Sequence, residues 1–298
     1  MSGARQILDR VSPRRQSHWD ARAATNFICG GAGGGLLAAI ALASLWNPDL
    51  RPLGLLALAL VAAGLTAVGF EIGRPLRALN VYRNATTSWM SREAMLAPPL
   101  FAFGLAAVVF NWPVAFWFAG LLGLAYAYAQ GRMLYANIGI PAWRQLGVID
   151  MVVTTSLTEG MGLLCVAALY WSTLAPFGFL LAGVVVLRFL AWRNYLANLR
   201  RDGAPSGTLK ALDAFDGPFI LLGHALPVLS ALAGAAIGST LLLALAGVLA
   251  AGAGAWFKYV LVCRAAFTQG FALPRTPSRG AGAAGAGGAP GWTGGQSL

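Results

Sequence analysis

The chain contains 298 residues, of which 58% are hydrophobic and 10% are charged, and its formal net charge is +11. So large an apolar fraction with so few charges lies outside the range of soluble domains, which excludes the soluble protein classes. The positive charge is spread over the ends of predicted helices, so we expect no nucleic-acid partner.

Apolar stretches near the ~20 residues that cross a bilayer recur along the chain. They predict an all-α, polytopic transmembrane helical bundle of about eight spans, in contact with membrane lipid. The spans are expected at 26–46, 53–70, 92–110, 113–135, 148–171, 174–193, 215–236 and 239–262. The predicted organisation is a basic N-terminal arm at 1–25, a transmembrane domain at 26–267 and a tail at 268–298, whose Gly- and Ala-rich end is expected to be disordered.

The basic residues are distributed unevenly between the two sides of these spans. Of 21 Lys and Arg residues, all but Arg51 fall at the termini, at even-numbered connections or on their flanks. The positive-inside rule therefore predicts that both termini are cytoplasmic, in a bacterial inner membrane. Tryptophans near the predicted helix ends are expected to anchor the two interfaces. They are Trp46, Trp112 and Trp171 on the outside and Trp89, Trp143 and Trp192 on the inside.

Polar residues interrupt the fifth predicted span. Asp150 begins this helix, and Thr155 lies one turn before Glu159 on the same face. An ionisable group near mid-depth marks a proton path or a buried pair, and Arg188 on the sixth span is the expected partner. The alternative is a neutral Glu159 that hydrogen-bonds to Thr155.

The seventh predicted span contains a histidine close to a proline. His224 is followed by Pro227, which predicts a kink with freed carbonyl groups facing a cavity. His224 is a further candidate for a proton path, or it is a packing residue.

Few residues could hold a metal cofactor. Two histidines usually ligate a membrane b-type haem, and this chain has only His18 in the arm and His224 in a span. Cys29, Cys165 and Cys263 are isolated, without the spacing of an iron–sulfur or zinc site. We therefore expect no haem, no iron–sulfur cluster and no metal in this chain.

The second connection, at 71–91, carries the densest group of polar residues. The motif consists of Glu71, Gly73, Pro75 and Arg77, followed by Trp89, Ser91 and Glu93. Acids, arginines, a tryptophan and hydroxyls are suited to lining a semi-polar pocket at the membrane surface.

This motif resembles that of the integral-membrane anchor subunits of dimethyl-sulfoxide-reductase-type molybdoenzymes, the DmsC group of the NrfD-like anchors. The resemblance implies a haem-free anchor that holds a four-cluster ferredoxin-like iron–sulfur subunit beside a molybdopterin catalytic subunit. It also implies exchange of electrons with quinone, either ubiquinone or menaquinone. Glu93 matches the acid at the family's quinone site, whereas Glu71 stands where members often have histidine.

Two further expectations concern the substrate. The segment 264–274 resembles anchors assigned to phenylacetyl-CoA:acceptor oxidoreductase, and a cytoplasmic pocket implies an intracellular substrate. The alternative function is a secondary transporter with a midplane site around Glu159, Arg188 and His224.

Overall fold

Eight long apolar helices make up almost all of the structure. This computed structural model describes residues 12–46, 49–70 and 75–270, with the side chains of residues 75–79 left out of that description. The helices are α1 (Ala21–Ala43), α2 (Arg51–Gly69), α3 (Trp89–Phe110), α4 (Pro113–Tyr135), α5 (Gly147–Leu169), α6 (Phe177–Arg201), α7 (Ser206–Ile237) and α8 (Thr240–Arg264). Each is long and apolar enough to cross a membrane, which confirms the predicted all-α bundle of eight spans.

Local sequence explains several helix boundaries. The hydroxyl of Ser88 accepts from the backbone N–H of Ser91 and caps the start of α3. At the far end of α3, Asn111 adopts a left-handed conformation with φ of 48°, and Gly238 does the same after α7 with φ of 70°. Both residues reverse the chain within a short turn.

Two helices form the centre of the bundle. In α1, 78% of the most apolar window is buried inside the protein, and in α5 the share is 61%. A Cβ on Gly35 of α1 would overlap the backbone of Ser156 on α5, and one on Gly160 would overlap Gly35 in return. Glycines therefore let these backbones approach closely, as is common between membrane helices.

Three spans contain a π-helical turn. These turns are Asn26–Gly30 in α1, Leu221–Ala225 in α7 and Val260–Arg264 in α8. The turn in α7 lies between Pro218 and Pro227, neither of which can donate a backbone hydrogen bond. The predicted kink at His224 is thus a π-helical turn, a feature that often accompanies a functional site.

The described parts of the arm, of the even-numbered connections and of the segment after α8 lie together on one face, which we call the basic face. The Gln16 N–H donates to the Ala266 carbonyl over 2.8 Å, and the Arg22 guanidinium donates to the Phe70 carbonyl over 3.2 Å. The Gln145 side chain donates to Asp202 and lowers the pKa of that carboxyl. Short helices at Pro75–Asn84 and Pro141–Arg144 also lie in these connections.

Two of the predicted interface tryptophans are core residues. Trp143 and Trp192 are among the largest fully buried side chains, because their indole N–H groups reach the Leu261 carbonyl and the Asp216 carboxylate inside the protein. The expectation that they anchor an interface was wrong, whereas Trp46 and Trp112 are exposed as predicted. The predicted disordered tail end lies outside the described residues.

Candidate functional site

Glu93 is buried among uncharged polar groups close to the basic face. It lies one turn into α3, and its side chain is only 3% exposed. Its Oε1 accepts from the Asn26 amide over 3.0 Å and from the Gln130 amide over 3.1 Å. Asn26 belongs to the π-helical turn of α1, and its Oδ1 accepts from the Tyr126 hydroxyl of α4 over 3.4 Å. The acid is thus positioned by three helices and has no basic residue among these partners.

A small cleft borders this acid. Its volume is about 30 Å³, and Glu93 lines it together with Trp19, Val68, Met90 and Met133. Such a volume accommodates one or two water molecules and not a quinone ring. Of the polar groups in this cluster, the Glu93 carboxyl and the Asn26 amide line the cleft, and both are groups that can hydrogen-bond to the oxygen atoms of a quinone head group.

A second buried acid lies deeper, between α5 and α8. Glu159 and Lys258 form an ion pair, with 2.5 Å between Oε2 and Nζ, and both side chains are 1% exposed. The Lys258 ammonium also donates to the Ser156 hydroxyl over 3.1 Å. The attraction between the two charges offsets the desolvation penalty that each of them carries when it is buried.

The sequence predicted the wrong partners for Glu159. Arg188 is fully buried on α6, but its guanidinium donates to the backbone carbonyls of Ala250 and Gly223. The Thr155 hydroxyl has no hydrogen-bond partner among the described residues. Lys258, which we assigned to the basic cytoplasmic end of the last span, lies inside α8 and is the true partner.

His224 belongs to the π-helical turn of α7 and lies apart from Glu93. Its Nδ1 donates to the Phe219 carbonyl over 2.9 Å, and its ring contacts Phe189 and Phe219 edge to face. It also lines an apolar cleft of about 390 Å³ between α6 and α7.

Trp89 lies between two arginines at the basic face. The guanidinium carbons of Arg92 and Arg132 are 4.2 Å and 4.5 Å from its ring centroid, within cation–π range. Arg132 also donates to the Tyr128 hydroxyl over 2.9 Å. Trp89 and Glu93 are therefore on one helix but contact different neighbours.

The other predicted site residues are only partly described. Glu71 and Gly73 lie outside the described residues, and for Pro75 and Arg77 only the backbone is described. Ser91 is buried one turn from the start of α3. Asp150 is exposed in the first turn of α5 and does not belong to either buried cluster.

Several members of these clusters escaped the sequence analysis. Asn26, Tyr126, Gln130 and Lys258 are each a polar residue within an apolar span. That pattern is the signal that could have found them, since polar groups inside a membrane usually face the interior of the bundle. Their pairing depends on which helices pack together, and the sequence of a single chain does not reveal this.

A comparison with known proteins finds a relative that matches part of the chain. The chain is 33% identical over 116 residues to a sulfite dehydrogenase subunit of Allochromatium vinosum. The matched region amounts to 39% of this chain and 30% of the relative, so the chain spans less than a third of that protein's length. No protein-family model matches the chain.

Proposed function

We propose that this chain is the membrane subunit of a multi-subunit oxidoreductase, and that it passes electrons to membrane quinone. The observation that carries the proposal is the similarity of this eight-span chain to a subunit of a sulfite dehydrogenase. The motif around Glu93 adds independent support, because it resembles that of quinone-reactive anchors. In this proposal an iron–sulfur subunit docks on the basic face, beside a molybdopterin catalytic subunit, and the basic face is cytoplasmic.

Glu93 is the residue proposed to exchange a proton with the quinone. Reduction of quinone to quinol consumes two electrons, here supplied by the iron–sulfur subunit, and two protons. A carboxyl within hydrogen-bond reach, directly or through one water, can supply one of those protons. The amide groups of Asn26 and Gln130 hold the Glu93 side chain in place, and the adjoining cleft has room for the water.

Two electron donors are consistent with the proposal. The resemblance of segment 264–274 suggests phenylacetyl-CoA, whereas the name of the relative suggests sulfite. Both compounds would be oxidised by the catalytic subunit, so they need not contact this chain. Assays of the purified complex with each compound separate the two possibilities.

The transporter alternative gains no support from the central polar residues. Lys258 is bonded to Glu159 and Ser156, and Arg188 is bonded to two backbone carbonyls. These bonds use part of the capacity of the two cations, although Glu159 Oε1 and Arg188 Nε have no hydrogen-bond partner among the described residues.

Replacement of Glu93 by glutamine tests the proposed site. Glutamine keeps an oxygen that accepts from both amides but removes the exchangeable proton. In the purified complex we expect electron transfer from substrate to a soluble dye to be retained and transfer to quinone to fall about 100-fold or more. Asp49→Asn is the matched control, since Asp49 is an exposed acid at the opposite face. Unchanged quinone reduction by the complex that carries Glu93→Gln would show that Glu93 does not donate this proton.

A further inference from the structure

The two buried acid clusters meet at a glycine of α1. The position that a Cβ on Gly31 would occupy lies 3.2 Å from Gln130 Oε1 and 2.5 Å from Ser156 Oγ, and it is closer still to Lys258 Nζ. These distances place Gln130 Oε1 less than about 5.7 Å from Lys258 Nζ. The absence of a side chain at Gly31 leaves the ammonium and the amide oxygen facing each other.

Gln130 connects the two clusters through the two ends of its amide. Its Nε2 donates to the Asn26 carbonyl over 3.0 Å and to Glu93 over 3.1 Å. Its Oε1 is buried without a hydrogen-bond partner among the described residues, and it is the end that faces Lys258. A positive charge next to this oxygen favours the orientation that turns the N–H groups toward Glu93.

We propose that Lys258 is a positioning residue for Glu93 and acts on it through Gln130. Its ammonium attracts the amide oxygen of Gln130, either directly or through one water above Gly31. This attraction keeps the amide N–H groups of Gln130 directed at the Glu93 carboxylate. The same positive charge stabilises the ionised form of Glu93. The effect of Lys258 on quinone reduction rests on the proposed function, whereas the electrostatic link between Lys258 and Glu93 does not.

Other titratable and charged groups surround the two residues. Tyr126 is the titratable group beside Glu93, and the groups that interact with Lys258 are Glu159, Arg188 and Cys29. Among the described buried residues, two acids are balanced by one lysine and one arginine. Because these groups are buried in one bundle, the protonation state of one acid depends on the charges of the others.

Infrared titration of the full-length chain in detergent tests the link without any quinone. The carboxyl band that is lost in Glu93→Gln identifies Glu93, and its intensity against pH reports the protonated fraction. In Lys258→Met we expect the midpoint of this titration to move upward by about one pH unit, the order of shift that removal of a nearby buried positive charge produces.

Gly31→Ala is the second variant, because it retains every charge. The added methyl group must displace the flexible end of Lys258 from Gln130, so we expect a smaller shift in the same direction. Gly252→Ala is the matched control, since a Cβ at Gly252 on the same helix as Lys258 meets no atom within 4 Å.

The outcomes separate this inference from the proposed function. An unchanged Glu93 titration in both Lys258→Met and Gly31→Ala would overturn the positioning role, whatever happens to quinone reduction. Conversely, shifted titrations combined with normal quinone reduction in the Glu93→Gln complex would support the link and refute the proposed proton-transfer role of Glu93.

Discussion

Glu93 and Glu159 are both buried acids of the same bundle, but their surroundings differ. Glu93 lies near the basic face, accepts hydrogen bonds from neutral amides and borders a small cleft. Glu159 lies deeper, is paired with Lys258 and is enclosed where α5 packs against α8. The difference separates an acid that borders a cleft large enough for water from an acid whose charge is paired inside the bundle.

The comparison also shows what burial alone does not reveal. Both carboxyl side chains are almost inaccessible to solvent. What distinguishes them is the charge of the partner and the presence of a cleft. A buried acid with neutral donors and access to water is the better candidate for chemistry, because its protonation leaves no opposite charge unpaired.

The largest effect on stability is expected from Lys258→Met. This change leaves Glu159 buried without its counter-ion, which typically costs about 3–5 kcal/mol. We expect the free energy of unfolding in detergent, measured by denaturant titration, to fall by that amount. Lys258→Met combined with Glu159→Gln should recover most of the loss.

Glu93→Gln provides the comparison for this experiment. Glutamine can still accept from Asn26 and Gln130, so we expect a change within about 1 kcal/mol. Equal destabilisation by Lys258→Met and Glu93→Gln would remove the distinction between the two acids.

A smaller loss of stability is expected from a substitution that disturbs the helix packing around Glu159. In Gly35→Ala the new methyl group overlaps the backbone of Ser156, so α1 and α5 must separate. Overpacking of this kind costs about 1–3 kcal/mol, and we expect a corresponding loss in the same denaturant titration. Gly183→Ala on α6 is the control, because a Cβ there meets nothing within 4 Å. A Gly35→Ala variant as stable as Gly183→Ala would contradict the close approach of the two helices.

Hydropathy alone predicted the architecture well. The fourth span was predicted with its observed bounds, Pro113–Tyr135, and the other seven were found with shifted ends. In six of these seven, the helix extends beyond the predicted apolar run at the basic face. The sixth span, for example, continues through Arg200 and Arg201. The length of an apolar stretch reflects the thickness of the bilayer, whereas the end of a helix depends on capping and on contacts outside the bilayer.

The candidate site was predicted only in part, for a similar reason. Glu159 was identified as buried, but Lys258 was counted with the basic residues outside the membrane because it lies near the end of its span. Five residues of α8 separate it from Arg264, which ends the helix: Tyr259, Val260, Leu261, Val262 and Cys263. A lysine flanked by apolar residues on both sides is better interpreted as a residue inside the span.

Gly31 illustrates what the sequence could not show. It is one of several glycines in the first span, and nothing in its neighbours distinguishes it from Gly33 or Gly34. Its importance comes from Lys258 and Gln130, which approach it from two other helices. Such a meeting point follows from the packing of the bundle and has no local pattern in the sequence.

Purification of the tagged chain from the membranes of its native host, in mild detergent, tests the central claim most directly. The proposed function predicts that large subunits accompany the chain and that metal analysis of the purified complex finds molybdenum and iron in stoichiometric amounts. Tagged chain that purifies without other subunits and without either metal, from cells that contain the chain in normal amounts, would contradict the account.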